Sequence, residues 1–264
     1  MKPVLLTTER ILLRPFGPAD APQVYEICQD SEIQKWTTVP SPYTQAHADG
    51  FCSQKCPSGW EKGTVLTWAI TRRTDQAAAD SENVKDAHPI VAEKTVLGAL
   101  TIFQREFVLR SYADESVEGG TIIGGGPSDV KNGLWEVGYW VSPRHRGHGY
   151  LSEALQAAIQ WVFFESEEDS PLQQDQAVDD VPPPATTEPE GELFRPLPLT
   201  RSAVKTLGWR AEVGNHPSLA VVRRLGFVTG QTQHRVVFVE GRQPIDVWTA
   251  SLTREEFLRS TAPP

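Results

Sequence analysis

The run Arg144-His145-Arg146-Gly147-His148-Gly149 is the segment of this sequence best equipped for chemistry. Arg144 and Arg146 supply cationic charge. Gly147 and Gly149 let a ligand approach the backbone with no Cβ in the way. Downstream, Leu151, Leu155, Ile159, Val162 and Phe163 recur at helical spacing, so the turn abuts a helix N-terminus. Unpaired N–H donors and a positive partial charge gather there. Together these features suit a diphosphate. A glycine turn with solvated arginines accounts for the same residues without a ligand. His145 and His148 flank the turn at i, i+3, but no third ligand is near, and no metal is expected. Gly124 to Gly126 are not a phosphate loop, because no Gly-Lys-Ser/Thr follows.

The elements that must hold this turn are a strand at 134–142, ended by Pro143, and a helix at about 150–164. A second such pair follows, with a strand at 205–213 and a helix opened by Asn215, running to about Leu225 and closed by Gly226. Upstream, residues 9–14 alternate as a strand until Pro15. Asp20 and Pro22 suit the start of a helix that carries Val24, Ile27 and Cys28. Residues 36–43 read as loop, and helical character resumes from Thr44 to Ser53. Residues 64–71 and 95–103 read as strands, with Gly98 marking a bulge or a close approach. Two more strands fall at 234–240 and 245–252. Strands mixed with helices along the chain indicate the α/β (α+β) class.

The 264 residues suit one domain, 1–264, with loop insertions at about 72–94 and 105–133. A third insertion, 166–192, holds Glu167, Glu168, Asp169, Asp175, Asp179, Asp180, Glu188, Glu190 and Glu192 with no Lys or Arg. Those carboxylates account for the whole net charge of −9. With Pro182-Pro183-Pro184 inside, this stretch is expected to be disordered or extended. The acidic balance therefore describes an insertion rather than a site. No basic stripe suggests nucleic acid as a partner. No apolar run reaches the length of a signal or a membrane span, so a soluble, cytoplasmic protein is expected. Cys28, Cys52 and Cys56 are too few and too oddly numbered for a disulfide framework. Cys52 and Cys56 lack a second ligand pair with zinc-like spacing.

The order strand, Arg-x-x-Gly-x-Gly (Arg144, Gly147, Gly149), helix resembles the acetyl-CoA signature of the GNAT acetyltransferase superfamily. GWRAEVGNHPSLAVVRRLGF, residues 208–227, is similar to the next strand and helix of that family. Its Asn-x-x-Ser (Asn215, Ser218) and Leu225-Gly226-Phe227 resemble the branch of ribosomal-protein N-terminal acetyltransferases, as does TTERILLRPFGPADA at 7–21. The resemblance covers most of 7–163 and 200–255. It implies a mixed, twisted central sheet flanked by helices, with strands 134–142 and 205–213 splayed around the pantetheine arm of acetyl-CoA. It implies that backbone groups of Trp140, Val141 and Ser142 pair with the pantetheine amides. N–H groups from Arg146 through Gly147, His148, Gly149, Tyr150 and Leu151 would take the diphosphate, with Arg144 beside them. Asn215 would bond a pantetheine carbonyl, or serve as an N-cap alone.

An amine attacking a thioester must lose a proton, the carbonyl must be polarised, and the thiolate must be stabilised. Glu136 is the candidate base, on one strand face with Gly138 and Trp140. An ion-paired strand glutamate is the competing reading. Backbone N–H near Val141 would polarise the carbonyl. Ser218 is the candidate for protonating or hydrogen-bonding the thiolate. Many relatives use a helix tyrosine there, and no tyrosine follows Tyr150 in this chain. Trp36, Tyr43, Trp135, Trp209 and Trp248 are candidates for the acceptor pocket, with Asp246 facing the substrate amine. The expected acceptor is a protein or peptide N-terminal amine. A small amine, amino sugar or aminoglycoside is the alternative. A non-catalytic CoA-binding module is the alternative of another class.

Overall fold

Alternation of apolar residues builds the centre of the molecule, and a computed structural model gives its architecture. The structure describes residues 1–73, 92–105, 134–164, 199, 201, 204–237 and 245–261. Strands β1 (Leu6–Thr7), β2 (Ile11–Pro15), β3 (Val65–Arg73), β4 (Ala92–Arg105), β5 (Leu134–Val141), β6 (Thr206–Glu212), β7 (Val228–Thr229), β8 (Gln233–Val237) and β9 (Ile245–Thr253) share one sheet. The order is β1-β2-β3-β4-β5-β6-β9-β7, with β8 also on β9. Among the described pairings only β5 and β6 run parallel. The helices are α1 (Ala21–Ile27), α2 (Ser31–Trp36), α3 (Gln45–Gly50), α4 (Cys56–Lys62), α5 (Tyr150–Phe164), α6 (His216–Arg224) and α7 (Arg254–Thr261).

The two sheet faces carry separate cores. Leu66, Trp68, Leu100, Ile102, Val137, Leu207 and Trp209 pack with α5, α6 and α7. Ala69, Val96, Ala99 and Trp140 pack with α1, α3 and α4. The first core holds a T-shaped aromatic chain, Trp60 to Trp68 at 4.8 Å and Trp68 to Trp161 at 5.6 Å. Both indoles on the sheet side have partners: Trp60 Nε1–H donates to Thr67 C=O and Trp68 Nε1–H to Val4 C=O. Buried tryptophan thus keeps its polar handle satisfied.

The mixed sheet and its flanking helices match the sequence reading, and the differences have local causes. Asp20 does not cap α1 with its side chain. Its carboxylate takes both guanidinium nitrogens of Arg14, at 2.7 and 2.8 Å, and the Gly17 N–H. The loop expected at 36–43 is preceded by α2, capped by Asp30, whose side chain accepts the Ile33 N–H. Helical character expected to stop at Ser53 continues through a π turn, Phe51–Lys55, into α4. The insertion placed at 72–94 is shorter, since β3 reaches Arg73 and β4 starts at Ala92. Residues 74–91, 106–133 and 166–192 of the three expected insertions lie outside the described residues, as does the end of the 234–240 strand beyond Val237. Gly98 is a close approach, as expected: a Cβ there would sit 2.5 Å from the Trp140 carbonyl oxygen. No described helix is long and apolar enough to cross a membrane.

Candidate active site

The parallel pair β5/β6 creates the site by coming apart. It is hydrogen-bonded only where Trp135, Glu136 and Val137 face Leu207, Gly208 and Trp209. Beyond that point β5 stays on β4 and β6 stays on β9. A cleft of about 1030 Å³ opens between Gly138–Val141 and Arg210–Glu212. That volume is at the upper end for ligand clefts, roughly 300–1,000 Å³.

One end of the cleft is the turn before α5. Gly147 and Gly149 both have φ +79°, a left-handed conformation that a side chain would strain. The helix starts at Tyr150, and Glu153 N–H is the donor that reaches the Gly149 carbonyl. The N–H groups before Glu153 therefore have no acceptor within the helix. His145, Arg146, Gly147, Gly149, Tyr150 and Leu151 line the cleft. Arg144 and His148 are exposed beside it, and His148 stacks on Tyr150 at 5.7 Å.

Two clamps that sequence reasoning missed fix this turn. Arg10 donates from Nη1 to the His148 carbonyl and from Nε to Glu153, which also accepts from the Thr8 hydroxyl. Burial raises the Glu153 pKa, but these hydrogen bonds and the Arg10 charge outweigh it and leave the carboxyl below its ordinary value. Glu153 is the one acidic residue in the first turn of α5, so Arg10 neutralises the charge that would oppose an anion there. Arg146 pairs with Asp30 at 2.5 Å and donates to the Val141 carbonyl at 3.3 Å. Asp30 likewise stays below its ordinary value: burial acts upward, and the bonds from Arg146 and the Ile33 N–H prevail.

Trp140 and Val141 line the cleft, the Trp140 carbonyl being turned to β4, and Ser142 does not line it. Its N–H donates to the Leu97 carbonyl at 2.8 Å and its side chain is buried, so the sheet already uses that donor. Asn215 caps α6, accepting the Ser218 N–H at 3.2 Å, and also lines the cleft.

Glu136 is 3% exposed and sits on the cleft floor, with Arg210 Nε 3.5 Å from its carboxylate. It shares a strand face with Gly138 and Trp140, toward α1–α4. Val137 and Tyr139 face α5 and α6 instead. Ser218, on α6, meets that second face: its Oγ is 3.0 Å from the Tyr139 hydroxyl and accepts from Trp209 Nε1–H at 3.2 Å. Burial pushes the Tyr139 hydroxyl up to about 12. The tyrosine near Ser218 thus comes from a strand, which a search of the later helix for one could not reveal.

The acceptor-pocket candidates divide. Trp36 and Trp209 line the cleft. Trp36 Nε1–H donates to Glu32, and the Trp209 indole is turned to Ser218. Tyr43 and Trp135 are core residues, 6% exposed each. Asp246 and Trp248 sit on the wrong parity of β9. Ile245 and Val247 face the cleft, while Asp246 pairs with His234 at 2.9 Å and Trp248 contacts His216 at 5.1 Å. Phe51 and Lys55, from the π turn, also line the cleft. Cys56 lines the cleft too, and burial pushes its thiol up to about 12. No group of three or more metal-ligating side chains occurs among the described residues.

The splayed strands, the glycine turn and the helix N-terminus coincide with a sequence match over residues 10–228 to the acetyltransferase (GNAT) domain family. The chain belongs to that family. It is an acetyl-CoA-dependent acetyltransferase of the GNAT type. Solved structures share the GNAT fold at low identity. The Salmonella typhimurium acetyltransferase that modifies the N-terminal serine of a 50S ribosomal subunit protein is 13% identical, with TM-score 0.56 over 95% of this chain and 99% of that one. RimJ of Mycobacterium smegmatis, in complex with CoA-disulfide, is 16% identical, with TM-score 0.54 over 96% and 88%. The microcin self-immunity acetyltransferase MccE, in complex with acetyl-CoA and AMP, is 14% identical, with TM-score 0.56 over 93% of each chain. Among curated proteins none matches.

Proposed function

We propose that this GNAT enzyme transfers acetyl directly to a primary amine, with the α-amino group of a protein or peptide as its acceptor class. One observation carries the reading: a single cleft joins the α5 N-terminus to the buried Glu136 carboxylate through the splayed β5/β6 gap. Acetyl-CoA supplies the activated acyl group. The glycine turn, the free N–H groups at the start of α5 and Arg146 suit its diphosphate. The backbone of Val141, turned to the gap side of β5, and the Asn215 side chain suit the pantetheine amides.

The acceptor amine enters from the other side, between Trp36, Phe51 and Lys55 and the floor at Glu136. As a carboxylate, Glu136 takes the proton the amine sheds on attack. A backbone N–H near Val141 polarises the thioester carbonyl. The Ser218 hydroxyl stabilises the departing thiolate. The likeness to the ribosomal-protein acetyltransferases supports a peptide N-terminus. The likeness to MccE, whose structure holds AMP as well as acetyl-CoA, keeps a small-molecule amine as the second reading.

The test is steady-state release of CoA thiol against peptides with varied N-terminal residues, the same peptides with blocked N-termini, and a panel of small amines. Turnover confined to free peptide N-termini is expected. Preference for small amines would select the second reading, and no turnover with any acceptor would reject both.

A further inference from the structure

Ser218 sits in a hydrogen-bonded trio that the acetyl-transfer reading leaves unexplained. Tyr139 Oη is 3.0 Å from Ser218 Oγ and, at 3.2 Å, donates to the Ser218 backbone carbonyl. Trp209 Nε1–H donates to Ser218 Oγ at 3.2 Å. The three side chains come from β5, α6 and β6, so they meet across the gap where the strands part. All three line the cleft.

A serine hydroxyl has one proton to give and two lone pairs to receive. Indole N–H only donates, so Trp209 fills one lone pair. Tyr139 has two partners for its one proton, the Ser218 carbonyl and the Ser218 Oγ. A turn about its C–O bond moves the proton from one to the other. With the proton on the carbonyl, Ser218 can spend its own proton on Tyr139 Oη. With the proton on Oγ, both lone pairs of Ser218 are filled and its O–H is left for a third partner.

We infer that Tyr139 is a positioning residue: by donating to Ser218 Oγ, together with Trp209, it aims the Ser218 O–H at the sulfur leaving the acetyl group. As the C–S bond breaks, its electron pair settles on sulfur and the Ser218 O–H hydrogen-bonds to that charge. Tyr139 and Ser218 both keep their protons. The proton lost by the amine goes to Glu136 and on to water, and the released thiolate is protonated by water. Burial keeps the tyrosine hydroxyl neutral through the working pH range, so the donor is always present. The inference rests on the role given to Ser218 above.

The experiment is a double-mutant cycle in the full chain with Tyr139→Phe, Ser218→Ala and both together. Rates are measured at saturating acetyl-CoA and acceptor, and CoA affinity by calorimetry. Phenylalanine keeps the ring and its packing. Tyr139→Phe is expected to lower kcat about 5- to 10-fold, the size of one lost hydrogen bond, with KM for acetyl-CoA and CoA affinity unchanged. In the Ser218→Ala background it is expected to have no further effect. An unchanged kcat in Tyr139→Phe, or an equal loss in both backgrounds, would overturn the inference while leaving the role of Ser218 intact. A fully active Ser218→Ala would overturn both together.

Discussion

Glu136 and Cys56 are the two residues in the cleft whose chemistry most sharply divides direct transfer from an acyl-enzyme route. Glu136 is buried beside Arg210 and lines the cleft. Glu136→Gln preserves shape and removes the base. The expected result is a fall in kcat of roughly 10²–10⁴-fold, with CoA affinity retained by calorimetry. A thiol as far up as Cys56 is protonated at neutral pH and is a poor nucleophile. Cys56→Ala is therefore expected to keep turnover within about twofold of the parent, since the thiolate fraction it removes is negligible. An accumulating acetylated enzyme, detected by mass spectrometry on mixing with acetyl-CoA alone, would contradict that.

At the scale of elements, two long-range ion pairs hold the glycine turn before α5. Arg10, just before β2, and Glu153 tie that segment to α5 across 143 residues, and Arg146 and Asp30 tie the turn to the N-cap of α2 across 116. Exposure limits what each pair contributes as a Coulomb interaction, since the arginine side chains are 49% and 41% exposed. The hydrogen bonds to backbone N–H groups matter more. Asp30 caps α2, an interaction worth about 1 kcal/mol. Both carboxyls lie below their ordinary values in the folded chain. Their stabilisation is thus present above the unfolded carboxylate range and lost as pH falls through the folded values. The urea midpoint is expected to decline as pH drops below roughly 4. Asp30→Asn should flatten that decline, as followed by fluorescence of the buried tryptophans. A decline of the same steepness in the variant would show that Asp30 is not among the groups responsible.

Across the whole molecule, what was legible in the sequence was what is local. The turn from Arg144 to Gly149 and the Asn215-x-x-Ser218 cap each lie within a few residues, so spacing alone exposes them. The strand positions followed from alternation, and Glu136 fell on the predicted face. Convergence across the sheet was not legible. Tyr139 meets Ser218 only because β5 and β6 separate where they do. Arg10 reaches Glu153 only through the register of β2 beside α5. Asp246 and Trp248 do not line the cleft, because alternation gives two faces and does not say which one meets it. That the Ser142 N–H is used by Leu97 was not legible either, since it is a fact of sheet pairing. Helix α2 escaped notice because its six residues include a single buried side chain, Ile33.

The central claim is that the start of α5 and the β5/β6 gap hold CoA. Calorimetric titration of CoA into the folded 264-residue chain tests it most directly. The account predicts saturable binding at one site per chain, weakened at least about tenfold by Gly149→Val, since a β-branched side chain cannot adopt φ +79° without strain and would crowd Arg10. Absence of binding to well-folded protein, or full affinity in the Gly149→Val variant, would contradict it.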